Sequence, residues 1–167
     1  MTGPDKSRVV KDQQSCPPTC CFLYTQADKS RCEELRDYLQ GKLASLVDII
    51  TVDDALAEDS TLEDELFQSR CVLLVYTQDS EKHLQEGTFD FDLDYVLFDG
   101  SITKAFLEQD EVVGKVIGIH FGWRPDQWLY DRLPKRIFHV SETLDFKDNP
   151  KVAQIVDTIK GIVKKKK

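Results

Sequence analysis

Hydrophobic residues in this chain form short unbroken runs, and two of these runs match each other. Cys20–Tyr24 and Cys71–Tyr76 are apolar at every position, and each continues into Thr-Gln and then an aspartate. An apolar run without alternation is typical of a strand buried on both faces, as in a parallel sheet. Ligands in such folds gather at the carboxyl ends of the strands. We therefore predict that both Tyr-Thr-Gln turns lie at the same edge of the sheet and that this edge is the functional one.

The remaining pattern alternates strands with helices over residues 19–163. Strands are predicted near residues 20–25, 46–52, 71–77, 113–121 and 136–140. Helices are predicted after Asp28, from Thr61 to Phe67, around Asp90–Phe98, at Ile102–Gln109, from Asp126 to Leu133 and after Asn149-Pro150. Asp53–Ser60 is predicted to be an acidic loop. The alternation predicts an α/β three-layer sandwich with a five-stranded parallel sheet in the flavodoxin-like order 2-1-3-4-5.

Length and composition indicate one globular domain of 167 residues. We expect a flexible leader at residues 1–18 and a basic tail at residues 164–167. No apolar stretch approaches the roughly 20 residues that span a bilayer, and the N-terminus lacks the apolar centre of a secretory signal. The five cysteines are an odd number, which favours reduced thiols and a cytoplasmic location. The weaker alternative is metal binding by Cys16, Cys20 and Cys21.

Charge is distributed unevenly along the chain, although the formal net charge is −8. Residues 1–111 hold 10 basic and 24 acidic side chains, whereas residues 112–167 hold 12 basic and 6 acidic ones. The acidic total argues against general nucleic-acid binding. Lys164–Lys167 is either a solvated tail or a weak contact for an anionic surface. The difference in charge between residues 1–111 and 112–167 permits an acidic surface of one copy to contact a basic surface of another.

The sequence lacks the residues needed for several functions that are common in this fold. Tyr24–Asp28 contains no glycine, which disfavours a phosphate-binding turn for a flavin or dinucleotide. The third strand ends in Thr77 and not in aspartate, which argues against a phosphoacceptor site. His83, His120 and His139 share no motif, and His120 is interpreted as a hydrogen-bonded core histidine. No cofactor is therefore predicted.

Asp90, Asp92 and Asp94 are spaced like the first three ligands of a calcium loop. Tyr95 stands where that loop needs glycine, and Ser101 stands where it needs glutamate. The preferred interpretation is the acidic first turn of a helix, where carboxylates interact favourably with the helix dipole. No metal is predicted.

The sequence resembles TIR and SEFIR domains, the Toll/interleukin receptor type of signalling module. Cys20–Leu39 is similar to their first strand, Tyr-Ser-x-x-Asp-like turn and first helix, Ser69–Thr77 is similar to their third strand, and Val112–Phe121 is similar to their fourth. The resemblance implies a cytoplasmic adaptor or scaffold, for example in innate immunity, whose partners are other TIR- or SEFIR-like domains or itself. The predicted interaction surface comprises Asp53, Asp54, Glu58 and Asp59. This loop lacks the proline and glycine usual in TIR domains.

The resemblance also implies an alternative, because some TIR domains hydrolyse NAD with a glutamate on the helix after the third strand. Asp94 is the nearest match, one methylene shorter and without the preceding tryptophan. In this alternative the chain is an NAD-cleaving nucleosidase with NAD as its substrate. Its pocket would lie at the carboxyl ends of strands 1 and 3 and would contain Tyr24, Thr25, Gln26 and Thr77.

Overall fold

A computed structural model describes residues 17–129 and 137–164. Its strands are β1 (Thr19–Leu23), β2 (Asp48–Ile50), β3 (Cys71–Val75), β4 (Phe89–Asp92), β5 (Tyr95–Asp99), β6 (Val116–His120) and β7 (Ile137–His139). Its α-helices are α1 (Lys29–Leu43), α2 (Val52–Ala57), α3 (Leu62–Gln68), α4 (Gln78–Glu86), α5 (Gly100–Leu107) and α6 (Pro150–Lys164). Short 3₁₀ segments lie at Gln26–Asp28, Asp110–Lys115 and Phe146–Asp148.

Five strands form one sheet in the order β2-β1-β3-β6-β7, and every neighbouring pair is parallel. The predicted flavodoxin-like order is confirmed, since β6 and β7 are the fourth and fifth strands of this sheet. All five residues of β3 are buried, as the unbroken apolar run predicts. Helix α1 contacts α6, whereas α5 contacts α3 and α4. The helices therefore form two layers around the sheet.

Side chains cap several helices where the sequence predicts it. Thr61 Oγ1 accepts a hydrogen bond from the Asp64 amide at 3.1 Å, and Asn149 Oδ1 accepts one from the Lys151 amide at 3.0 Å. Each bond satisfies a backbone donor that has no partner inside its helix. Asp28 occupies the N-cap position of α1, but its side chain makes no capping hydrogen bond.

The predicted acidic loop at Asp53–Ser60 is wrong, because α2 occupies its first half. Thr51 and Asp54 form a capping box, in which each side chain accepts a hydrogen bond from the other residue's backbone N–H. Asp53 and Asp54 also place negative charge in the first helical turn, where the helix dipole favours it.

The predicted helix around Asp90–Phe98 is also wrong, since β4 and β5 form an antiparallel hairpin there. Phe89 and Phe91 alternate with Asp90 and Asp92, which is the period of a strand and not of a helix. The predicted fourth strand begins later than expected, because Asp110–Lys115 forms a 3₁₀ segment before β6.

Some predictions fall wholly or partly outside the described residues. Of the predicted helix from Asp126 to Leu133, residues 126–129 are described and are not helical, and the rest lies outside. The leader lies outside except for Pro17 and Pro18, and the basic tail lies outside except for Lys164. Among the described residues, no helix combines the length and apolar character needed to span a bilayer.

Candidate functional site

The β4–β5 hairpin is fastened over the carboxyl end of β1. The Gln26 amide, just beyond β1, donates a hydrogen bond to Asp90 Oδ2 at 2.6 Å. His83 Nε2 of α4 lies 3.8 Å from the other oxygen of the same carboxylate. Asp90 therefore joins the hairpin to the turn after β1 and also faces α4.

Lys29 at the start of α1 lies at the centre of a polar cluster that makes the second attachment. Its ammonium group donates hydrogen bonds to Asp92 and to Tyr95 Oη, the latter at 3.3 Å, and lies 3.5 Å from Asp53 Oδ2. The Tyr95 hydroxyl donates to Asp53 and lies 3.1 Å from Asp92 Oδ2. We call Lys29, Asp53, Asp92 and Tyr95 the hairpin clamp, because they join α1, α2 and both strands of the hairpin.

The contacts in the hairpin clamp shift the pKa values of Lys29, Asp92 and Tyr95. The hydrogen bond to Asp92 raises the pKa of Lys29, and the same bond lowers the pKa of Asp92. Burial, with the hydrogen bond to Asp53, raises the pKa of Tyr95 to about 12. At neutral pH the cluster therefore contains an ammonium, carboxylates and a protonated phenol. Its chemistry is that of an attachment between elements.

The predicted pocket residues Tyr24, Thr25, Gln26 and Thr77 have different environments. The hydroxyls of Tyr24 and Thr25 are buried and have no hydrogen-bond partner among the described residues. Burial raises the pKa of the Tyr24 phenol. Gln26 is exposed, and Thr77 Oγ1 caps α4 by accepting from the Ser80 amide at 3.2 Å. The pocket itself stays a prediction.

Asp94 lies in the two-residue turn of the hairpin, after Leu93, and is exposed. It is not in the first turn of a helix, so the expected interaction with a helix dipole is wrong. Cleavage of NAD needs a carboxylate held close to the ribose. The structure brings no described pocket residue into a hydrogen bond with Asp94, and this alternative stays a prediction.

A second feature is a groove of about 750 Å³ beside the edge strand β2. Its charged lining residues are Arg36, Asp37, Asp48, Asp54, Glu58 and Glu65. We call this the β2 groove. Arg36 Nε lies 3.0 Å from Asp37 Oδ1, and Arg36 Nη1 lies 3.0 Å from Asp54 Oδ2. The groove therefore contains one guanidinium and five carboxylates, and its net charge is negative.

The predicted interaction surface is divided between these two features. Asp54 and Glu58 line the β2 groove, whereas Asp53 belongs to the hairpin clamp. Asp59 is exposed beyond the end of α2, with a positive φ of 63°. Binding of a partner by these four residues stays a prediction.

Side chains of α1 cover the outer edge of β2. The Ile49 amide donates to Gln40 Oε1 at 2.8 Å, and Gln40 Nε2 donates to the Val47 carbonyl at 2.8 Å. Arg36 Nη1 donates to the Ile49 carbonyl at 3.4 Å. These bonds satisfy backbone groups that an edge strand otherwise offers to another strand.

Sequence reasoning missed Lys29, Arg36, Gln40 and Tyr95. A signal was present for the first three, because positions 29, 36 and 40 share one face of a helix. Their partners lie in β2, α2 and the hairpin, and helical periodicity does not identify partners that distant in sequence. Tyr95 gives no such signal, because the sequence around it predicts a helix.

No group of three or more His, Cys, Asp or Glu side chains suited to a metal occurs within residues 17–129 and 137–164. Asp90 accepts a hydrogen bond from the Gln26 amide, and Asp92 accepts one from Lys29. Cys20, Cys21, Cys32 and Cys71 are buried free thiols. Burial raises the pKa of Cys21 to about 12, so this thiol is protonated at neutral pH.

Comparison with known proteins shows a similarity in structure but none in sequence. No protein-family model matches the sequence, and no curated protein is significantly similar to it. A solved structure described as the crystal structure of a prokaryotic SEFIR domain superposes with a TM-score of 0.52 at 13% sequence identity. The match covers 89% of this chain and 94% of that chain. The chain therefore has the fold of a SEFIR domain.

Proposed function

We propose that this chain is a cytoplasmic signalling interaction module, an adaptor or scaffold that binds a second copy of itself or another TIR- or SEFIR-like domain. The shared SEFIR fold supports this proposal, together with the resemblance of the first and third strands to those families. The observation that carries it is the β2 groove, with its five carboxylates and one guanidinium.

The composition of the β2 groove selects the partner's charge. Asp48 and Glu58 are exposed, whereas Arg36 is shared between Asp37 and Asp54. The unneutralised carboxylates attract a surface rich in lysine or arginine. Complementary charge of this kind raises the association rate and favours correct partners, and added salt weakens it.

The covered edge of β2 determines the kind of contact. Gln40 and Arg36 already make hydrogen bonds to the Ile49 amide and to the Ile49 and Val47 carbonyls. These backbone groups therefore cannot pair with a strand of a partner. Binding therefore proceeds through side chains and not through extension of the sheet.

Sedimentation velocity over a range of concentrations, at low and at high salt, tests this proposal. We expect association with itself, or with an added SEFIR-like domain, that weakens as salt rises. Asp48→Lys with Glu58→Lys should weaken association roughly tenfold or more. The two lysines would repel the basic surface of the partner that the two carboxylates attract. Glu108→Lys with Asp157→Lys is the matched control, because it changes the net charge by the same amount. Glu108 is exposed directly after α5, Asp157 is exposed on α6, and neither lines the groove.

Two results would contradict the proposal. One is a chain that stays monomeric at every concentration and salt, and that also fails to bind SEFIR- and TIR-like domains. The other is equal weakening by the groove variant and by Glu108→Lys with Asp157→Lys, which would assign the effect to net charge and not to the β2 groove.

A further inference from the structure

The outward face of β4 is apolar, although it faces solvent. Phe89 and Phe91 point outward and are 44% and 53% exposed, whereas Asp90 and Asp92 point towards the protein body. An ordinary strand on a protein surface has the opposite arrangement, with apolar residues inward. Here the inward carboxylates bond Gln26 and Lys29, which leaves the phenyl rings outside.

Leu93 adds a third exposed apolar side chain at the tip of the hairpin. Its side chain is 91% exposed, and its φ is 60°, a conformation that turns usually assign to glycine or asparagine. Leucine at this position therefore stabilises the fold neither by burying its side chain nor by favouring the observed backbone conformation. The Phe89 and Phe91 rings pack edge to face with centroids 6.5 Å apart, and Leu93 follows Phe91 by two residues. We call Phe89, Phe91 and Leu93 the hairpin patch.

The hairpin patch is held in place before any partner arrives. The hairpin clamp joins both strands to α1 and α2, and the Gln26–Asp90 bond joins β4 to the end of β1. A surface fixed in this way loses little conformational freedom on binding, which favours affinity. Exposed apolar side chains on a fixed element are a common form of protein interaction surface.

Charged residues close in sequence to the hairpin patch restrict what can cover it. Asp94 is exposed at the tip, and Glu86 is exposed at the end of α4, three residues before Phe89. These carboxylates repel an anionic membrane. They also disfavour a symmetric contact between two hairpins, because the tips carry the same charge on a chain of net charge −8.

We infer that the hairpin patch is a docking surface for a partner protein that presents an apolar strip bordered by lysine or arginine. This inference deepens the proposed function by adding a second surface and the chemistry of its partner. The apolar strip covers Phe89, Phe91 and Leu93, and the basic border pairs with Asp94 and Glu86. Apolar burial supplies affinity, and the charged border supplies selectivity.

Two labelled helical peptides of about 18 residues test the inference by fluorescence anisotropy with the full chain. Both present a leucine stripe, which is bordered by lysines in one peptide and by glutamates in the other. We expect the lysine-bordered peptide to bind at least roughly tenfold more tightly. Asp94→Lys should reduce this preference, because it replaces the attractive charge at the tip.

Variants of the patch separate docking from folding. Phe91→Thr with Leu93→Gly should weaken binding of the lysine-bordered peptide roughly tenfold, since the peptide loses two apolar contacts. Leu93→Gly alone should maintain or raise the melting temperature, because glycine adopts the positive φ without strain. Phe67→Thr is the matched control, since Phe67 is 78% exposed on α3 and lies outside the hairpin.

The inference is overturned if the lysine-bordered peptide does not bind, or if Phe67→Thr weakens its binding as much as the patch variant does. Patch-dependent binding to phosphatidylcholine vesicles would also overturn it, by assigning the surface to a membrane. A chain that is monomeric and ignores SEFIR-like domains, yet binds the peptide through the patch, would refute the proposed function and leave this inference standing.

Discussion

At the scale of single residues, His120 is a buried histidine held in its neutral form. Its ring stacks on that of His139 in the adjacent strand, with centroids 4.8 Å apart and an interplanar angle of 14°. The Gly122 amide donates to His120 Nδ1 at 3.3 Å, which requires that nitrogen to be unprotonated. Burial, with the nearby His139 and Arg124, lowers the pKa of His120 from 6.5 to about 4. The predicted hydrogen-bonded core histidine is therefore confirmed.

This lowered pKa predicts loss of stability in mild acid. The unfolded chain binds a proton at His120 below pH 6.5, whereas the folded chain does so only near pH 4. The stabilisation is complete above pH 6.5 and is lost as pH falls towards 4. We expect the free energy of unfolding to fall by about 2 kcal/mol between pH 7.5 and pH 5 from this group. Urea unfolding across this range measures it.

His120→Gln provides the control, because glutamine does not titrate and the carboxylates contribute equally to both proteins. The variant should lose less stability than the parent over the same range. Parallel stability curves for the two proteins would contradict the assignment of the pH dependence to His120.

At the scale of elements, the base of the hairpin depends on a close approach between backbones. The Gly100 amide at the start of α5 donates to the Thr88 carbonyl at 2.9 Å. A Cβ at position 100 would lie 2.1 Å from the His83 carbonyl oxygen and 2.5 Å from that of Thr88. Both obstacles are backbone atoms, which cannot move without displacing α4 or the hairpin.

We therefore expect Gly100→Ala to destabilise the fold by more than about 2 kcal/mol, as overpacking of this kind does. Gly41→Ala provides the contrast, because no atom lies within 4 Å of the added Cβ inside α1. Alanine is the better helix former, so this second change should stabilise the protein by about 0.5–1 kcal/mol. Chemical denaturation of both variants measures the difference. Equal effects of the same sign would show that the close contact at Gly100 does not matter.

At the scale of the whole molecule, α1 connects parts of the chain that are far apart in sequence. Lys29 reaches the hairpin, Arg36 reaches α2, and Gln40 reaches β2. Arg31 Nη2 donates to the Ser141 carbonyl at 3.1 Å, and its guanidinium lies over the Phe121 ring at 5.0 Å. One helix therefore joins the edge strand, the hairpin and the segment after β7.

The sequence predicts those parts of the molecule in which burial dictates the residue pattern. Central strands such as β3 are enclosed on both sides, so their unbroken apolar runs identify them directly. Burial does not dictate the residue pattern of the hairpin, because Phe91 faces solvent and Asp92 faces Lys29. The sequence does not predict which acidic side chains remain free, since hydrogen bonds between distant elements decide this. Asp53 and Asp54 illustrate this, because Asp53 bonds Tyr95 of the hairpin whereas Asp54 bonds Arg36 of α1.

The covered edge of β2 has a consequence for the dynamics of the sheet. Amides on the outer side of an edge strand normally exchange their hydrogens with solvent quickly, since no neighbouring strand retains them. The Ile49 amide is retained by Gln40 Oε1 at 2.8 Å, so it should exchange slowly, like an amide in the interior of the sheet. Gln40→Ala should make Ile49 exchange quickly in hydrogen–deuterium experiments, while amides of β3 stay protected. Fast exchange at Ile49 in the unmodified chain would show that α1 does not shield this edge from water.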